Sequence, residues 1–236
     1  MNLHSDVIQN KNYTYPICAE LQKHSQEYRV LATLRYLLPQ QYAMMTAGES
    51  PDLQDKKNSI GIEVTAAVRE NDMKVSRIFS GLCQENDAQK AEKRIKKIES
   101  CGYSLVPIYG EKISVIASGT SNEEKVFLQE SVRKKKQKFE QYRSKFRTLG
   151  LAIVLPEIPT TEAEDCCIAW IYEELQKDQN SIDFAYVLSH RFCIYYDVRM
   201  VRYEKWTISN EDNCSLCTIA RMTAEGELSL NDQEWN

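Results

Sequence analysis

Pro51-Asp52-Leu53-Gln54-Asp55-Lys56-Lys57-Asn58-Ser59-Ile60-Gly61-Ile62-Glu63-Val64-Thr65 is the stretch on which the fold of this chain turns. In its later part Ile60, Ile62 and Val64 alternate with Gly61, Glu63 and Thr65, the period-two pattern of a half-buried strand. The alternation puts Glu63 and Thr65 on one face, opposite three branched apolar side chains. The polar run Leu53 to Ser59 reads as a turn that folds Asp52 back beside Glu63. Two carboxylates held close together repel, so such a pair shares a proton or a divalent cation. With no histidine or cysteine nearby, an all-oxygen donor set selects Mg2+ over zinc. The same residues also describe an ordinary hairpin, with one acid in its turn and the other on a solvated face.

Upstream, a helix is expected from Tyr15-Pro16 to Leu38, stopping at Pro39. Its apolar stripe takes Ile17, Leu21, Tyr28, Leu31 and Leu34, and Glu20, His24 and Glu27 fall on or beside that stripe. Downstream, helical patterns return through Val75, Ile78, Phe79 and Leu82, then from Ala88 to Ser100, where Lys90, Lys93, Arg94, Lys96 and Lys97 gather before Cys101-Gly102. A basic run of that kind contacts phosphates or forms a solvated face. Tyr103 to Ile108 and Lys112 to Ala117, either side of Tyr109-Gly110-Glu111, carry a hairpin signature.

A helix from about Asn122 to Thr148 is the second informative stretch. Its apolar stripe is Leu128, Val132, Phe139, Tyr142, Phe146 and Leu149, with Lys135 in the middle and Lys138 at the edge; Lys134 and Lys136 point away. An ammonium on a core-facing stripe is costly unless it meets a carboxylate or phosphate, or snorkels to water along its own stem. Gly150 and Pro156 bracket Leu151-Ala152-Ile153-Val154-Leu155, a strand buried on both faces. A helix over Ala163 to Gln176 follows, then a hairpin from Phe184 to Val198 about Ser189-His190-Arg191, and a strand from Arg202 to Ile208.

The composition is that of an ordinary globular chain: 236 residues, 42% hydrophobic and 27% charged, with a net charge of −4. That charge excludes a protein that coats nucleic acid electrostatically, but not a local basic cleft. No run approaches the roughly 18 apolar residues that span a bilayer. The N-terminal residues show no basic segment leading into an apolar one, so a cytoplasmic protein is expected. The eight cysteines then behave as free thiols, and Cys214-Ser215-Leu216-Cys217 has the spacing of only half a zinc site. With no linker visible, the sequence reads as one domain over 1–236, its core about 17–208 and a polar tail over 209–236.

Pro51-Asp52, the tripeptide Glu63-Val64-Thr65 and the later run Val132-x-x-Lys135-x-x-Lys138-Phe139-x-x-Tyr142 entering the Leu151 strand resemble the PD-(D/E)xK nuclease superfamily, in the form of its small bacterial members. The resemblance covers most of residues 17 to 200. It implies a restriction-endonuclease-like α/β fold, a mixed sheet flanked by helices. It also implies Mg2+ (or Mn2+) held by Asp52, Glu63 and the carbonyl of Val64. The family's lysine, two residues after the glutamate, is Thr65 here. Some members supply the lysine from a neighbouring helix, which gives that role to Lys135. An acid of the first helix often joins the site, which points to Glu20, with Glu27 as the alternate. The implied activity is a Mg2+-dependent DNA endonuclease, with Thr65, Lys138, Lys93 and Lys97 as nucleic-acid contacts. The resemblance also admits RNA as substrate and a homodimer as assembly. A catalytically inactive relative that binds nucleic acid or protein is the alternative, motivated by Thr65.

Overall fold

The computed structural model describes residues 17–67, 70–82, 85–107, 113–117, 121–155, 161–177, 181–233 and 235. The chain divides into two compact units, one built from Ile17–Ala67 with Leu128–Asn236 and the other from Val68–Phe127. The second is an insertion within a crossover connection. Such an insertion needs no linker of distinctive composition, which is why no boundary is legible in the residues alone.

The first unit is a mixed α/β layer structure. Helix α1 (Ala19–Leu37) ends at Leu38 because Pro39 cannot continue it and instead opens the single turn α2 (Pro39–Tyr42). Strands β1 (Thr46–Ala47), β2 (Leu53–Asp55) and β3 (Ile60–Ala66) form an antiparallel meander at one edge. The β2–β3 turn is closed by Asp55, whose carboxylate accepts from the Asn58 backbone N–H (2.9 Å) and side-chain amide (2.7 Å). Next to β3 lies β6 (Thr148–Val154), in parallel register, with Glu63 opposite Leu151 and Thr65 opposite Ile153. Then come β7 (Phe184–Leu188), parallel to β6, and the antiparallel β8 (Phe192–Asp197) and β9 (Arg202–Thr207). The sheet order is β1-β2-β3-β6-β7-β8-β9.

Helices cover both faces of this sheet. Ile62, Val64, Ala152, Val154, Tyr186 and Leu188 pack with α1 and with the C-terminal helix, here α8 (Asn210–Ala224). Leu149, Leu151, Ile153, Ala185 and Val187 pack with the end of α5 (Ser121–Lys136), the one-turn α6 (Phe139–Tyr142) and α7 (Thr161–Gln176). Every residue of β6 from Leu149 to Val154 is buried, as the unbroken apolar run predicts.

Three expectations are corrected. The helix read from Asn122 to Thr148 breaks after Lys136, because Thr148 and Leu149 are strand residues paired with Ile60 and Gly61. Lys136, read as pointing away, is buried, with its ammonium on the carbonyl of Glu174 at 3.3 Å. The polar tail from Ser209 is in fact α8, capped by the Ser209 hydroxyl on the Asp212 N–H and burying Leu216, Ile219, Ala220 and Met222. Its first-turn acids, Glu211 and Asp212, complement the helix dipole. The helix start at Tyr15-Pro16 and the turn at Tyr109-Gly110-Glu111 lie outside the described residues.

The second unit has its own small core of Val75, Ile98 and Tyr103, drawn from α3 (Glu70–Leu82), α4 (Ala88–Glu99) and the hairpin of β4 (Tyr103–Pro107) with β5 (Ile113–Ala117). Asp87 caps α4, accepting from the N–H groups of Gln89 and Lys90. Among the described residues no helix is long and apolar enough to cross a membrane.

Candidate functional site

The site begins with a ladder that stops one residue short. β2 pairs Leu53 with Ile62 and has no strand residue to offer Val64. The Asp52 side chain takes that place, its Oδ2 accepting the Val64 N–H at 2.8 Å. Pro51 sets the approach by lying against Gly61, where a Cβ would come within 2.6 Å of the proline ring. Glu63, the neighbour of Val64, faces the α5–α6 side of the sheet with Thr65, opposite Ile62 and Val64. Asp52 and Glu63 are 2% and 1% exposed, so the hairpin with solvated acids is excluded.

Lys135 reaches this point from the last turn of α5. Its ammonium donates to Glu63 Oε1 at 2.7 Å and to the Val64 carbonyl at 2.9 Å. Lys138 donates to the same Glu63 oxygen at 2.9 Å, and the Tyr142 hydroxyl donates to Oε2 at 3.0 Å. Burial alone would push the Glu63 carboxyl up, but the two lysine hydrogen bonds outweigh it and hold it below the ordinary carboxylate range. The Tyr142 phenol is pushed up to about 12, by burial first and then by the charge of Glu63. It therefore stays a donor at neutral pH.

From the other face, α1 supplies a second charge pair. Glu27 is 2% exposed. Lys23, one turn earlier, sets its ammonium 3.1 Å from Glu27 Oε1 and 3.2 Å from Asp52 Oδ1. His24 Nδ1 lies 3.0 Å from Glu27 Oε2. Among the described residues the fully buried Glu27 Oε1 has no hydrogen-bond partner, and it meets the Lys23 ammonium as an ion pair. Although burial pulls the Lys23 ammonium down, its pairing with Glu27 and Asp52 raises it above its ordinary value.

The structure thus brings together Asp52, Glu63, Val64, Lys135 and Lys138 through hydrogen bonds that span 12 to 75 positions of the chain. Thr65 sits beside them on the Glu63 face, 8% exposed. Glu20 is exposed in the first turn of α1, and the acid that joins the site from that helix is Glu27, two turns on. Seven residues apart, Glu20 and Glu27 share one helix face, so the helical period does not separate them; Glu20 is exposed and Glu27 is buried. Lys23 and Tyr142 went unrecognised: Lys23 carries no motif and Tyr142 reads as an ordinary stripe residue. Lys93 and Lys97 are exposed on α4 in the second unit.

Among the described residues no group of three or more His, Cys, Asp or Glu side chains is gathered as a ready metal centre. The carboxylates are instead interleaved with ammonium groups. The donor set still suits a hard divalent cation, because Glu27, Asp52, Glu63 and the Val64 carbonyl are all oxygen ligands. The buried Glu27 Oε1, lacking a hydrogen bond, is the kind of atom a cation satisfies. No family model, curated protein or solved structure matches the chain.

Proposed function

We propose that this chain is a divalent-metal-dependent nuclease of the PD-(D/E)xK type with a restriction-endonuclease-like fold, hydrolysing phosphodiester bonds in DNA. The observation that carries the reading is the position of the Lys135 ammonium, 2.7 Å from Glu63 and 2.9 Å from the Val64 carbonyl. A lysine from α5 thereby stands in for the one that Thr65 lacks. Asp52, Glu63 and the Val64 carbonyl would hold Mg2+ or Mn2+, with Glu27 the added acid.

When bound, the cation supplies Lewis acidity that polarises a phosphoryl oxygen and acidifies water. The chain's own groups do the rest. Lys135 offers positive charge where negative charge develops on the phosphate and steers a water through its one remaining N–H. Tyr142, held protonated, fixes the Glu63 carboxylate by its second oxygen. Lys138, half-exposed on the same carboxylate, is placed to meet a backbone phosphate. Thr65 can hydrogen-bond water or phosphate but brings no charge.

The test is cleavage of plasmid and oligonucleotide substrates, DNA and RNA, by the purified protein in Mg2+ or Mn2+. Asp52→Asn, Glu63→Gln and Lys135→Met are each expected to lower the rate by 100-fold or more, on the order of 3 kcal/mol. Adding Thr65→Lys to Lys135→Met is expected to restore part of the rate. Cleavage that persists in the Asp52 and Glu63 variants removes these residues from the mechanism.

A second reading, a nuclease fold used only for binding nucleic acid or a protein partner, is favoured by the full occupancy of Glu63. Both its oxygens already receive donors from the protein. Under that reading calorimetry detects no Asp52-dependent uptake of Mg2+ or Mn2+.

A further inference from the structure

Lys23 is the cation of the site that neither the strand motif nor the lysine helix supplies. It joins two carboxylates that are otherwise anchored from elsewhere. Asp52 is fixed through Oδ2 by the Val64 N–H, and Glu27 through Oε2 by His24. Each is left with one oxygen, and the two remaining oxygens share a single ammonium at 3.1 and 3.2 Å. The carboxylates are 3% exposed, whereas the lysine side chain that neutralises them is 65% exposed. The fixed parts of this arrangement are therefore the anions. The cation sits on a flexible stem with an open path to solvent.

We infer that Lys23 is a displaceable placeholder. It holds Glu27 Oε1 and Asp52 Oδ1 on one point, and a divalent cation taken up at that point expels its ammonium into solvent. This rests on the divalent-cation reading of the site given above. An ammonium and a divalent cation repel at one point between two oxygens, and Mg2+ or Mn2+ binds closer and with twice the charge. Metal uptake is then an exchange of cations. The cation-free protein avoids burying repelling carboxylates, and Lys23 sets the metal concentration at which the exchange occurs. Lys23 acts as a positioning residue on Glu27 and Asp52.

The experiment compares the full chain with Lys23→Met, Lys23→Gln and Asp52→Asn, using Mn2+ alone as probe. Mn2+ affinity is read by calorimetry and by the paramagnetic resonance of free Mn2+, and thermal unfolding is followed in chelator and in Mn2+. Both Lys23 variants are expected to bind Mn2+ about tenfold tighter than the parent chain, equivalent to the loss of roughly 1.4 kcal/mol of competing ion pair. They are also expected to unfold at lower temperature in chelator, with Mn2+ raising their midpoint more than it raises the parent's. A purely structural lysine would lower the midpoint without tightening the metal. Unchanged or weaker Mn2+ affinity in both variants, with uptake by the parent chain still lost in Asp52→Asn, overturns the placeholder and leaves the metal site standing. Absence of Asp52-dependent Mn2+ uptake in all variants overturns both.

Discussion

Glu63 sits where three donors converge, and its acidity is the most direct physical handle on the site. Its carboxyl is held below the unfolded value, which is about 4.3. A carboxyl of that kind adds stability at pH above the unfolded value and loses it as pH falls through the lower, folded value. Glu63→Gln is therefore expected to flatten the acid side of the stability profile below about pH 4.3. Unfolding midpoints measured between pH 3 and pH 6 check this, and a profile as steep as the parent's overturns it. Much of this residue's setting was legible in advance. Alternation fixed its face, and the stripe position of Lys135 demanded a partner for a core-facing ammonium. The choice between Glu20 and Glu27 was not legible, because both lie at the flank of the same stripe and only the docking angle of α1 decides between them. Lys23 was invisible for a related reason: its role depends on a carboxylate 29 residues away that only the closed fold brings near.

At the scale of elements, β3 was the best read, since an alternating strand next to a polar turn has few other ways to fold. The break between α5 and α6 was the worst. Periodicity continues straight through it, because Leu128, Val132, Phe139, Tyr142 and Phe146 are all buried on the same side whether or not the helix is continuous. No glycine or proline marks the interruption. The pairing of Thr148 with Ile60 forces it from outside the segment. Helix α4 carries a prediction of its own. Lys90, Lys93 and Lys97 fall three and four residues apart on one exposed quadrant, while Lys96 pairs with Glu92 and Arg94 with Glu85. If duplex DNA is the substrate, changing the three to Gln is expected to reduce the dependence of log affinity on log salt by about 2 to 3. Binding isotherms at several salt concentrations measure that slope, and an unchanged slope makes the quadrant a solvated face.

For the molecule as a whole, the feature least visible in the sequence is the contribution of residues beyond Ser209. Acidic and polar letters dominate there, yet at helical spacing they leave one apolar face that completes the layer over α1. A chain ending at Ile208 would lose the burial of Leu216, Ile219, Met222 and Leu230, each worth about 2 kcal/mol. That sum is comparable to the entire stability of a domain. Such a chain is expected to show no cooperative thermal transition by circular dichroism; a sharp transition would make α8 dispensable. The same layer holds a buried guanidinium. Arg35 on α1 donates to the carbonyls of Tyr42, Met45 and Leu230 and to the Asn231 side chain, joining segments 195 residues apart. Its consequence lies in the order of synthesis. Glu27, Asp52 and Glu63 leave the ribosome before Lys135, and the clasp on Arg35 is incomplete until Leu230 emerges. Contacts of such long separation form late and slowly. The nascent chain therefore carries its acids unassembled, and the site comes into being only after Lys135 and Leu230 have both emerged.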